Sequence, residues 1–133
     1  MSESNKAIVR KFLELSNEER RTIDEICSSD FTAHIGATPA MNLEDFIKFQ
    51  SDYYKSFTNN FINIEEIIQE GSLVAFRGVV HAAHTDEFMG IPASNREIVV
   101  PVIGMARLKE GKIYEWWNSP DRLSWMQQIG GVH

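Results

Sequence analysis

Apolar residues recur at helical spacing in the first half of the chain and alternate with polar residues in the second. Ile8, Phe12 and Leu15 fall at i, i+4 and i+7, which predicts a first helix capped by Ser4 or Asn5. Ile23, Ile26 and Cys27 predict a second, short helix after a turn at 17–20. Phe31 to Ile35 reads as a short strand. Asn42, with Asp45 three residues on, resembles a capping box. The stripe Leu43, Phe46, Ile47, Gln50, Tyr53, Tyr54 and Phe57 then predicts a longer helix. From Ile62 and Ile64 onward the period falls to two. Leu73 to His84, Glu97 to Leu108 and Lys112 to Asn118 are β-rich runs, separated by turn signals at Glu70-Gly71 and Glu110-Gly111 and by a loop over 86–96. Helices followed by a strand meander predict an α+β fold, with helices on one face of a curved, mostly antiparallel sheet. Such a sheet can enclose a pocket.

Alternation sorts the side chains by face. Ile113, Glu115 and Trp117 share one face of the last run, and Tyr114, Trp116 and Asn118 the other. His84 lies with Val74, Phe76, Val80 and Ala82, and His81 lies opposite with Arg77 and Val79 unless a bulge intervenes.

A length of 133 residues suits a single domain spanning 1–133. Thirteen basic against nineteen acidic residues, a net charge of −6, argue against nucleic acid and anionic membranes as partners. No apolar run is long enough to span a bilayer, and the N-terminus lacks a signal-peptide layout. Cys27 stands alone, which fits a cytoplasmic protein and a small buried hydrophobe. The glycines build no phosphate-binding loop, and no serine sits in a nucleophile elbow. His81 and His84 are three apart, an odd offset that points their rings to opposite faces of a strand, so no metal site is expected.

Several segments together resemble one family. They are Asp30-Phe31 with His34, the hairpin from His84 through Gly90 to Pro92, a Gly-Lys-Ile-x-Glu-x-Trp-x-x-x-Asp run ending at Asp121, and Gln127-Gln128-Ile129-Gly130. This order is similar to that of the SnoaL-like polyketide cyclase family, within the NTF2-like superfamily. The resemblance runs from about Asn5 to Gly130. It implies a cone: a bent sheet wrapped around a pocket closed by N-terminal helices. It further implies a homodimer or higher oligomer and a small apolar or aromatic ligand. The implied chemistry is a cofactor-free ring closure of a polyketide ester by intramolecular aldol condensation. The same cone also hosts isomerases, dehydratases and plain binding proteins, so fold alone does not decide activity.

The resemblance places the acid/base carboxylate at Asp121, with His34 and His84 as polar groups around the substrate. A base must remove a proton beside a carbonyl, and an acid must protonate the new alkoxide. A carboxylate desolvated by aromatics can do both. The alternative is structural: Ser119, Pro120 and Asp121 also read as N-cap, N1 and N2 of a final helix, where an acid interacts with the helix dipole. Glu115, Trp116, Trp117 and Asn118 are the expected substrate-binding residues. Trp117 would stack on a planar ligand. Glu115, if inward, needs a partner such as Arg77, Arg107 or a histidine. Core packing or a subunit interface accounts for both tryptophans equally well.

Overall fold

The structure, a computed structural model, describes residues 4–15 and 18–130, without the side chains of 20–22. Helix α1 (Asn5–Leu13) begins where Ser4 Oγ accepts a hydrogen bond from Ala7 N at 3.1 Å, and it buries Val9, Phe12 and Leu13. A 3₁₀ helix follows over Glu19–Glu25. The turn expected at 17–20 falls in part on residue 17, outside the described residues. The short helix predicted around Ile23 therefore exists in 3₁₀ form, but Cys27 is not in it. Cys27 begins strand β1 (Cys27–Ile35), four residues before the expected start.

Strand β2 (Met41–Asn42) leads into helix α2 (Leu43–Ser56), where Asn42 Oδ1 accepts from Asp45 N at 2.8 Å. Strands β3 (Phe57–Glu70), β4 (Leu73–His84), β5 (Glu97–Lys109) and β6 (Lys112–Pro120) form the meander, and helix α3 (Arg122–Ile129) ends it. Phe57 opens β3 rather than closing α2. The β5–β6 turn takes positive φ at both Glu110 (53°) and Gly111 (78°), as a tight two-residue hairpin demands.

The sheet is six-stranded, curved and unclosed, in the order β2-β1-β6-β5-β4-β3. All pairings are antiparallel except β1 with β6, which is parallel. Gly104 is a point of close approach within the sheet. A Cβ there would lie 2.5 Å from Phe76 Cζ, so the Phe76 ring occupies the space a side chain would take.

One bulge changes the facing of β6. Arg107 pairs with Glu115 but Leu108 pairs with Ile113, which leaves Tyr114 as the extra residue. Ile113 and Trp116 are consequently both buried, at 0% and 2% exposure. The expected face shared by Ile113, Glu115 and Trp117 is broken: Ile113 points inward, and Glu115 and Trp117 point outward. The β4 reading stands, with Val74, Phe76, Ala82 and His84 buried. His81 is on the other side, stacked on exposed Phe61 at 4.7 Å.

The core has two parts. One packs Phe12, Phe31, Phe46, Ile113 and Trp116 between the helices and the sheet. The second, around Phe57, Ile98, Val100 and Ile129, lies against α3. Gln128 fastens that helix: its side chain accepts from Val99 N at 2.7 Å and donates to Val99 O at 2.9 Å. Beyond Pro120, β6 no longer covers this edge of β5, so the amide of Gln128 replaces a strand neighbour.

Candidate functional site

A cavity of about 220 Å³ opens between α2, α3 and the concave side of β4, β5 and β6. Its walls are mostly apolar and aromatic: Phe49, Tyr53 and Tyr54 from α2, Phe88 and Met89 from the 86–96 loop, and Val100 from β5. Tyr53 lies in an aromatic cluster with Phe57, Phe88 and Trp125, at centroid distances of 4.7, 6.1 and 6.0 Å. These rings brace one another and fix the shape of the wall.

Among the polar groups on this surface, three are buried and unpaired. Gln50 Oε1, Asn118 Oδ1 and Trp125 Nε1 are buried and have no hydrogen-bond partner among the described residues, and all three residues line the cavity. A buried polar group left unpaired costs about 1–3 kcal/mol. In a cavity of this size, a ligand or water can satisfy such groups. Two carboxamides and one indole N–H give both acceptors and donors. Asn118 belongs to the expected substrate-binding set. Gln50 and Trp125 were missed, although one signal was legible: Gln50 is the one amide in an otherwise apolar and aromatic helical stripe.

The other expected residues lie elsewhere. Trp116 is in the core, in edge contact with Phe12 at 4.7 Å and stacked on Phe76 at 5.3 Å. His34, Glu115 and Trp117 come together, but on the convex face. His34 Nε2 is 3.2 Å from Glu115 Oε2, Arg107 Nε is 3.8 Å from Glu115 Oε1, and the His34 ring stacks on Trp117 at 5.5 Å. The partner expected for Glu115 is thus present, while the inward direction is not.

Asp121 is exposed. It is the N-cap of α3 and not N2, because β6 runs on through Ser119 and Pro120, which pair with Ile103 and Val102. Its Oδ1 accepts from Ser124 N at 3.1 Å. The residues on either side of it, Pro120 and Arg122, line the cavity.

His84 is fully buried and stacks on Phe57 at 5.1 Å. Its Nδ1 accepts from Ser94 N at 3.2 Å and lies 2.9 Å from Ser94 Oγ. With Nδ1 accepting, the neutral ring carries its proton on Nε2, which is buried and unpartnered. Burial holds the imidazole pKa below its ordinary value, against the opposing pull of Asp86. His84 is not a lining residue. It ties down the loop that carries Phe88 and Met89.

Among the described residues, no cluster of three or more His, Cys, Asp or Glu could hold a metal ion, and no helix is long and apolar enough to cross a membrane.

Comparison with known proteins agrees with this architecture. No curated protein sequence matches the chain. A candidate SnoaL-like polyketide cyclase from Jannaschia sp. CCS1 superposes with a TM-score of 0.88 at 20% identity, over 100% of this chain and 99% of that one. IdmH, a candidate polyketide cyclase from Streptomyces antibioticus, gives 0.86 at 23% identity over 96% and 99%. AclR, a candidate hydroxylase from Streptomyces galilaeus, gives 0.87 at 21% over 97% and 86%. At such identities these likenesses speak for the fold alone. The family model of SnoaL-like polyketide cyclases matches residues 6–129, nearly the whole chain. The chain therefore belongs to the SnoaL-like polyketide cyclase family.

Proposed function

We propose that the chain binds a small, mostly apolar, aromatic carbonyl compound in this cavity. The observation that carries the reading is the set of three unpaired polar atoms, on Gln50, Asn118 and Trp125, inside an aromatic wall. Protein stability alone gives no reason to keep them. A ligand with hydroxyl donors for the two amide oxygens and a carbonyl for the indole N–H gives one.

Methyl 6-hydroxy-2-naphthoate, a flat neutral aromatic ester whose hydroxyl can donate to the Asn118 amide oxygen, is a suitable probe. In an NMR titration it should saturate and shift the indole N–H signal of Trp125. Asn118→Leu should weaken binding about 3- to 10-fold, the value of one ordinary hydrogen bond, while holding or raising stability because an unpaired buried carbonyl disappears. Loss of stability without loss of affinity would count against the reading.

A second reading is the acid/base ring closure that the family name implies, with Asp121 as the proton-transfer group. Its support is the place of Asp121 between two lining residues. Turnover, not affinity, separates the two: Asp121→Asn keeps the N-cap geometry and should leave probe affinity unchanged on either reading. A catalytic Asp121 would show as a loss of about 10²–10⁴-fold in turnover of a polyketide ester, with binding intact.

We further propose a homodimer through the convex face. Val99, Ile103 and Met105 are 48%, 60% and 38% exposed there. The arginines beside them are already paired, Arg77 with Glu65 and Glu66 and Arg107 with Glu115, so they place no unpaired cation against a second copy. Sedimentation at micromolar concentration should give about twice the chain mass, and Ile103→Lys should return it to the monomer value. A wild-type monomer would end the proposal.

A further inference from the structure

We infer that the ligand of this cavity is an acid whose carboxylate is bound by Arg122 at the mouth; this rests on the small-molecule reading above. Arg122 is the one charged side chain among the described lining residues. The chain as a whole carries a net charge of −6, yet its cavity holds a cation and no anion. The other arginines placed on the sheet or its loops are engaged. Arg77 meets two glutamates, Arg107 faces Glu115, and Arg96 donates to Gln128 O. Arg122 has no ion pair or hydrogen bond among the described residues, Asp121 included.

The local structure aims this side chain. Arg122 is the first residue of α3, directly after its N-cap, and its stem runs past the turn that ends β1. A Cβ on Gly36 would lie 3.9 Å from Arg122 Cδ, so the methylenes pass at ordinary contact distance over a residue with no side chain. Ile35 and Thr38, on either side of Gly36, also line the cavity. The guanidinium thus sits at the rim, with the aromatic wall of Tyr53, Phe88 and Trp125 and the unpaired atoms of Gln50 and Asn118 further in.

The chemistry of the rim selects the anion. A guanidinium presents a planar fork that matches a carboxylate with two parallel hydrogen bonds. One cation balances one negative charge, whereas a phosphate monoester brings about −1.5 to −2. An ester would leave the fork half used. The ligand class is therefore a planar aromatic acid: ring between the aromatic side chains, hydroxyl donors toward the amide oxygens of Gln50 and Asn118, a ring oxygen substituent toward the Trp125 indole N–H, and carboxylate toward solvent on Arg122.

The test compares 2-naphthoate, methyl 2-naphthoate and 2-naphthyl phosphate on the wild-type chain, on Arg122→Met and on Arg122→Lys. Affinity is measured by calorimetry, with the Trp125 indole signal as the marker of location. The wild type should bind 2-naphthoate about 10-fold or more tightly than its ester, as charge-assisted hydrogen bonds do. Arg122→Met, which keeps the stem over Gly36, should bring the acid to the affinity of the ester and leave the ester within about 3-fold. Arg122→Lys should keep part of the gap, because charge survives but the fork does not. Equal affinity for acid and ester in the wild type, a gap that survives Arg122→Met, or tighter binding of the phosphate would overturn the carboxylate assignment while leaving the cavity reading intact. If neither naphthoate nor ester moves the Trp125 signal, the cavity reading falls as well.

Discussion

Trp116→Ala should lower unfolding stability by about 3–5 kcal/mol, the range for removing a buried Trp from a core. The size follows from its neighbours. The indole is 2% exposed, meets Phe12 of α1 edge-on and stacks on Phe76 of β4. It is flanked across the sheet by Ala33 on β1 and Ala106 on β5, both fully buried, which leave room for the ring on either side. Its loss would open a hole where helix and sheet meet, and flanking alanines cannot fill it. Domains of this size have only about 5–15 kcal/mol of stability, so the change takes a large share. Urea denaturation with a comparison of m-values measures it. A loss below about 1 kcal/mol would show that Trp116 is not the joint between α1 and the sheet. Probe binding in the cavity, by contrast, should survive in the fraction that remains folded, because Trp116 does not line it.

That result bears on what the residue pattern could reveal. Strand β4 was legible to the side chain, because twelve residues of unbroken alternation place His84 and Phe76 inward and His81 outward. Strand β6 was not, and the reason is local. One extra residue at Tyr114 lets Ile113 and Trp116 both point inward, so counting by twos from an apolar Ile113 carries Glu115 and Trp117 to the wrong side. A bulge has no strong composition signal here. Of the expected site residues, His34, Glu115 and Trp117 do come together, but on the outer face. The Ser119-Pro120 pair misled differently. Serine before proline imitates a helix start, yet strand pairing with Ile103 and Val102 carries β6 past both; its pairing with β1 ends at Asn118, so Pro120 lies on an edge where a missing N–H is tolerated. Capping by Ser4 and Asn42 was readable because it depends on residues within one turn. Cavity polarity was only half readable: Gln50 stands out in its helical stripe, but Trp125 and Arg122 meet it through a tertiary contact.

Acidification below pH 6.5 should destabilise the fold through His84, by as much as about 1.4 kcal/mol per pH unit until the folded-state pKa is reached. The sign follows from linkage. Burial lowers the imidazole pKa in the folded chain, so between the folded and unfolded values the unfolded chain holds the proton and the folded chain does not. The stabilisation is therefore fully present above the unfolded value of about 6.5 and is lost as pH falls toward the folded one. Protonation also has a mechanical consequence. Nδ1 accepts from Ser94 N, and a protonated Nδ1 would set one donor against another. Around that contact the strand end is held by His84 N to Arg96 O at 2.9 Å and Asn95 N to His84 O at 2.8 Å. The loop so anchored brings Phe88 and Met89 to the cavity wall. Acid should thus loosen the wall before the whole domain unfolds, seen as faster amide exchange over 86–96 at pH 5.5 than at pH 7.5 beyond the intrinsic pH effect. His84→Gln keeps a side-chain acceptor for Ser94 but cannot titrate. Its unfolding free energy, measured in urea from pH 8 to pH 5, should be flatter than the wild-type curve below pH 6.5. Parallel curves for the two proteins would show that some other group carries the acid sensitivity, and that the buried ring is only a packing element.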